Sequence, residues 1–264
     1  MKPEIVWDVG TAYDFGMSLN VIFRPEKSNL RASWAAGVRS RLPVAERELL
    51  QQFFEAFWVP MGVMYGLPRP KDTVTFLTQL RQVSPKMRLD FFIKPQARMR
   101  FPEIVRLLHA VAEKEAWSDK ELVELLESGA KFKRKQATAA LNLWAEAEQA
   151  GQLMLLGMET FYNEFYAEEE ARLRPILAQS LERAQVLAEA LSFDALLEEL
   201  SQGVKLERPF DKPKLVIAPC FWSTPLIVEE AIDETHDLFM YGAKPDDVSF
   251  VPGDVVPDEL PQVL

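Results

Sequence analysis

Cysteine is almost missing from this sequence. Cys220 stands alone among the 264 residues, which excludes an internal disulfide framework and a cysteine-built metal site and fits a reducing compartment. Histidine is nearly as scarce. His109 and His236 lie far apart, whereas metal coordination needs several ligands converging at set spacings. The glycines build no phosphate cradle, because Val9-Gly10-Thr11 and Tyr65-Gly66-Leu67 lack the repeated glycines of a nucleotide fingerprint. There is no Gly-x-Ser-x-Gly nucleophile elbow. No window approaches the roughly 18 to 20 apolar residues of a membrane span. The first residues, Met1 to Asp8, carry acid early and lack the apolar core of a secretory signal. These absences predict a cytoplasmic protein with no cofactor, no metal and no membrane partner. They leave the catalytic assignment empty.

Positive charge is also in short supply. Thirty Lys and Arg face forty Asp and Glu, a formal charge of −10, so the surface repels polyphosphates unless its cations are segregated. The one cationic concentration is Lys131-Phe132-Lys133-Arg134-Lys135. It reads as a solvated helix start balancing the acidic helix before it, with a phosphate backbone or a partner's acidic patch as the alternative. Glu168-Glu169-Glu170 precedes Arg172 and Arg174 at helical spacing and reads as a solvated face.

What is abundant is apolar residues, 48% of the chain, at helical spacing. Ile5 to Val9 predicts a strand. Thr11 is expected to cap a helix through Phe15, Leu19, Ile22 and Phe23 that ends at Arg24-Pro25. Leu30, Trp34 and Val38 mark a second helix, and Pro43 opens a third through Phe57. Residues 60–70, with three prolines and two glycines, predict a loop. Asp72 caps the next helix, Pro102 starts an amphipathic one reaching Trp117, and Ser118 with Glu121 forms a capping box. Phe132 to Leu200 predicts nearly continuous helix, interrupted near Gly151 to Gly157 and kinked or broken at Pro175. Three short apolar runs follow, Lys214 to Ala218, Leu226 to Val228 and Leu238 to Tyr241, with the texture of an antiparallel meander that the Ile5 to Val9 strand can join. The expected fold is α+β and predominantly helical. Residues 1–203 form a helical domain, and 204–264 a small β-meander packed on it.

Among the chemically capable residues, Cys220 reads as a small buried strand-end side chain, His109 as a helix-flank histidine and His236 as a polar turn residue. The aromatics carry more. Trp34, Tyr162, Tyr166 and Trp222 combine apolar surface with a polar handle, the combination that lines a pocket for an apolar or aromatic effector or the face of a symmetric dimer.

Three stretches carry a family resemblance: Tyr13-Asp14-Phe15-Gly16-Met17-Ser18-Leu19, Leu30 through Leu42 with Trp34 at its centre, and Phe165-Tyr166 through Arg174-Pro175. They resemble the N-terminal domain of bacterial ArsR-like winged-helix regulators, in which a long helical domain precedes a C-terminal helix-turn-helix. The Leu215 to Tyr241 region and Val251-Pro252-Gly253-Asp254 are similar to that family's approach to its DNA-binding module. The resemblance implies an effector-sensing or dimerising portion of a transcription regulator. It also implies a homodimer that touches DNA only through a module expected beyond Leu264. No Cys-x-Cys sensing pair is present, so arsenic chemistry does not carry over, and no family site residue maps onto this chain. A stand-alone enzyme or binding protein for a hydrophobic ligand, and a pure dimerisation scaffold, are the competing expectations.

Overall fold

The computed structural model describes residues 2–27, 30–93, 98, 101–204, 206, 210–245 and 248–250. Helix makes up 62% of it, so the expected α+β, predominantly helical class holds. The segment after Phe250, including the stretch expected to lead toward a DNA-binding module, lies outside the described residues.

Strand β1 (Glu4–Trp7) runs into helix α1 (Thr11–Phe23), whose thirteen residues are all buried. A helix buried on every side belongs at the centre of a body, and each polar residue of α1 has a partner. Ser18 donates to the Phe15 carbonyl, and Asn20 exchanges hydrogen bonds with the Val59 backbone. Thr11 is not the cap. Gly10 holds that position, and the Thr11 hydroxyl donates instead to Glu170, 2.5 Å away.

Around α1 lie α2 (Ala32–Arg39), α3 (Val44–Ala56), α4 (Met61–Tyr65), α5 (Thr73–Gln82) and α6 (Arg88–Phe91). The proline-rich stretch expected as a loop therefore contains a short helix. Asp72 caps α5 by accepting from the Thr75 N–H at 2.9 Å. Beyond α7 (Pro102–Lys114), the Ser118 and Glu121 capping box opens α8 (Asp119–Glu127) as expected.

Next come α9 (Arg134–Ala145) and α10 (Ala147–Phe161), a π turn over Tyr162–Tyr166, α11 (Ala167–Ala190) and α12 (Phe193–Leu200). The interruption falls at Glu146, not between Gly151 and Gly157, through which α10 runs unbroken. Those glycines serve close packing. A Cβ on Gly151 would stand 1.9 Å from the Pro85 carbonyl oxygen, and one on Gly157 2.9 Å from Leu50. Helix α11 also continues through Pro175. The acidic run at its start is not a solvated face: Glu169 and Glu170 are buried, at 3% and 4% exposure.

The sheet has the order β1-β2-β4-β3 and is mixed, not antiparallel. Strand β2 (Lys214–Cys220) pairs in parallel with both β1 and β4 (His236–Gly242), and only β3 (Val228–Ala231) runs antiparallel, against β4. The reason is burial of both faces. Val6, Val216, Ala218, Leu238 and Met240 pack on the helical body. Leu215, Ile217, Phe239 and Tyr241 pack with Ile5 and Trp7 on Ala184, Leu196, Leu197 and Leu200 of α11 and α12. Strands covered on both faces read as continuous apolar runs, as Leu215-Val216-Ile217-Ala218 does. The helices from α1 to α12 form the long crossover that parallel β1 and β2 require.

Substitutions at two positions test this packing. Gly151→Ala drives a methyl into the Pro85 backbone and should destabilise the protein by about 1–3 kcal/mol in urea unfolding. Glu170→Ala strands buried donors at two helix starts and should cost about 3 kcal/mol or more, whereas Glu170→Gln, which keeps an acceptor oxygen, should cost clearly less.

Candidate functional site

The strongest candidate site is an apolar cleft of about 320 Å³ in the helical body. Four elements build it. Helix α3 ends where the Phe57 N–H donates to the Phe53 carbonyl at 2.8 Å, and the chain then leaves in extended conformation, carrying Phe57 and Trp58 to the wall. Phe92 and Ile93 follow α6. The stripe Phe101, Ile104, Val105 and Leu108 comes from the first turns of α7, and Ala130 and Phe132 come from the loop between α8 and α9. Phe57 sets the floor, with its ring 5.6 Å from Phe53, 5.3 Å from Trp144 and 6.4 Å from Phe132. The lining is apolar throughout, and its volume falls within the range of small-molecule sites.

A groove between α3 and α9 is larger, about 660 Å³, but it lies open along two helices. Glu48, Gln51, Gln52, Glu55, Arg134 and Lys135 line it, and the Lys135 ammonium reaches the Glu55 carboxylate at 2.6 Å. Long polar side chains facing water hold no ligand in place, so the smaller, apolar cleft is the better site.

The four aromatics expected to line a pocket lie elsewhere. Trp34 and Trp222 do come together, stacked with centroids 6.1 Å apart and planes at 20°, and Phe165 meets both edge-on. Tyr166 is fully buried beneath α1, with its hydroxyl donating to the Thr11 carbonyl at 2.9 Å and its ring 5.2 Å from Phe15. Tyr162 is half-buried, and burial, then the Glu170 carboxylate, push its hydroxyl pKa up. None of the four lines the cleft. Its wall was visible in the sequence only as separate helical stripes, because nothing in Phe57, Phe101 or Phe132 tells which stripes meet with a gap between them.

The other reactive groups serve structure. Cys220 ends β2 at 0% exposure, and burial, then Asp14, push its thiol well above the usual range. His109 sits 2.6 Å from Asp90, and His236 closes a turn on Asp233 and Thr235. Among the described residues, no group of three or more His, Cys, Asp or Glu side chains converges.

Among the described residues, Asp14 is the titratable group displaced into the neutral range. It lies fully buried in the first turns of α1, accepts from the Trp222 N–H at 2.9 Å and faces the Cys220 thiol at 3.4 Å. Burial pushes its carboxyl up to about 7. The Trp222 N–H, the Cys220 thiol and the Phe221 N–H pull against burial, and Glu169 adds to it. The folded state therefore holds this proton where the unfolded chain has lost it, so stability falls as pH rises from about 4 to about 7 and levels above. Asp14→Asn keeps the acceptor for Trp222 and should flatten that slope, making the variant more stable than the wild type at about pH 8 in urea unfolding. An unchanged slope would place the titration elsewhere.

Comparison of the chain with family models, curated proteins and solved structures finds no match, so the cleft is interpreted from its own geometry.

Proposed function

We propose that this chain is the sensing body of an ArsR-like bacterial transcription regulator, and that its effector is an apolar or aromatic small molecule held in the Phe57 to Phe132 cleft. In this reading it works in the cytoplasm as a homodimer, with DNA read by a separate winged-helix module. The dimer and the module rest on the family resemblance. The formal charge of −10 supports delegating DNA contact, since a phosphate backbone would be repelled.

The cleft carries the sensing part, and its position supplies a route to the sheet. Trp58 lines the cleft and also a second cavity of about 650 Å³ that is bordered by Met17, Val59, Met61 and Val228. Within the same segment, the Val59 N–H donates to Asn20 of α1 at 3.0 Å, and the Met61 and Gly62 N–H groups donate to Glu230 of β3, each at 3.3 Å. A ligand that moves Phe57 or Trp58 therefore pulls on the backbone that ties α1 to β3. It favours whichever sheet arrangement it binds better.

Thermal unfolding with a panel of small apolar aromatics tests the reading. A ligand at about a hundred times its Kd should raise the Tm by roughly 5–10 °C. Val105→Trp, which fills the cleft while the circular dichroism stays native, should abolish the shift. The sensing proposal falls if no compound stabilises the wild type or if the filled variant responds equally.

A further inference from the structure

We propose that the cleft selects amphiphilic anions, molecules with an apolar body and a single carboxylate head, of which a medium-chain fatty carboxylate is the simplest probe. The inference rests on the cleft being a ligand site and adds the chemistry of the ligand.

The wall itself cannot orient a ligand. Among the described residues every lining side chain except Trp58 is a pure hydrocarbon, so their contacts reward apolar surface without distinguishing one end of a molecule from the other. Positive charge stands next to the wall in sequence. Phe132 lines the cleft from a loop in which Lys131 and Lys133 flank it, and both lysines are exposed. Neither forms an ion pair among the described residues, whereas Lys135 in the same run is held by Glu55. The cationic cluster is thus divided. Its last lysine pairs with Glu55 on the α3 side, and the two flanking Phe132 stand outside any ion pair among the described residues.

The backbone supports the same assignment. Lys131 has φ +57°, in the left-handed region, where a lysine costs about 1 kcal/mol that glycine would not. That conformation lies between Ala130 and Phe132, both of which face the cleft. A third cation is near. The Arg24 guanidinium, 7% exposed, stacks 5.1 Å from the Trp58 ring, with the Glu55 and Glu26 carboxylates acting on it from nearby. An apolar slot with two exposed lysines outside any ion pair beside it is complementary to an apolar chain ending in a carboxylate, and mismatched to a neutral or cationic one of equal length.

The experiment is isothermal titration of the full chain with decanoate, decanol and decyltrimethylammonium, each below its micelle threshold. The expected order places decanoate about tenfold tighter than decanol, a modest preference because the rim is solvent-exposed. The cation should bind weakest, and added salt should shrink the preference. Lys131→Gln with Lys133→Gln should bring decanoate to the level of decanol and leave decanol unchanged. Lys131→Gly should raise the Tm while weakening decanoate alone. Equal binding of decanoate and decanol, or a preference that survives the double substitution, overturns the head-group assignment and leaves the cleft reading standing. If no probe binds, or if Val105→Trp leaves decanoate binding intact, the cleft reading falls and the head-group assignment falls with it.

Discussion

One carboxylate oxygen organises this molecule. Glu170 Oε1, buried at the start of α11, accepts from the Thr11 hydroxyl at 2.5 Å and from the Thr73 N–H and hydroxyl, each at 2.9 Å. Thr11 and Thr73 are the first residues of α1 and α5, where helix N–H groups lack internal partners and the macrodipole is positive. Burying an ionised carboxylate costs several kcal/mol unless donors converge on it, and here three converge on a single atom. A second clamp holds the other side of the same turn: Asp8 accepts from Lys71 at 2.5 Å and from the Tyr13 hydroxyl at 2.7 Å. With its start fixed by two buried carboxyl groups, α1 can be buried on all sides and still have one position and one register.

The attachment of the sheet follows from that fixed helix. Asp14, one turn into α1, takes the Trp222 N–H just after β2, so the centre of the sheet is tied to the centre of the body through a fully buried group. The β3 edge is tied differently. Glu230 reaches two N–H groups of the short helix α4, and the segment between α4 and α3 borders two cavities. Packing next to empty volume forgoes dispersion contacts on the empty side, so this edge is held by fewer contacts on its cavity side.

How much of this was legible follows from where each signal resides. The helices, the caps at Asp72 and Ser118 and the joining of the first strand to the C-terminal sheet are local or compositional, and the chain spells them out. Glu169 and Glu170 were misread because spacing places them beside Arg172 and Arg174 without revealing that two other helix starts descend on the same spot. Only Glu169 makes the expected pair, with Arg172 at 2.6 Å, and it does so while buried. Gly151 looked like a breaker because the cause of its being glycine is Pro85, some sixty positions away. The sheet's parallel core was available in principle, since Leu215-Val216-Ile217-Ala218 does not alternate. The cleft was not available, because a cavity is a property of how four segments fail to fill a space.

Those four segments differ in how readily they respond to an occupant. Ile104, Val105 and Leu108 belong to a regular helix whose backbone hydrogen bonds resist displacement, and Phe132 follows a strained residue on a short loop. Phe57 and Trp58 lie in the extended stretch between α3 and α4, where the next regular constraints are the Asn20 clamp on Val59 and the Glu230 contact with α4. A ligand shifts an equilibrium only by its difference in affinity for two states, so the useful strain is the strain that one state relieves. The wall most able to move is the wall connected to the more weakly attached edge of the sheet. Under the proposed sensing role, occupancy would be directed toward β3 and away from the Glu170 junction.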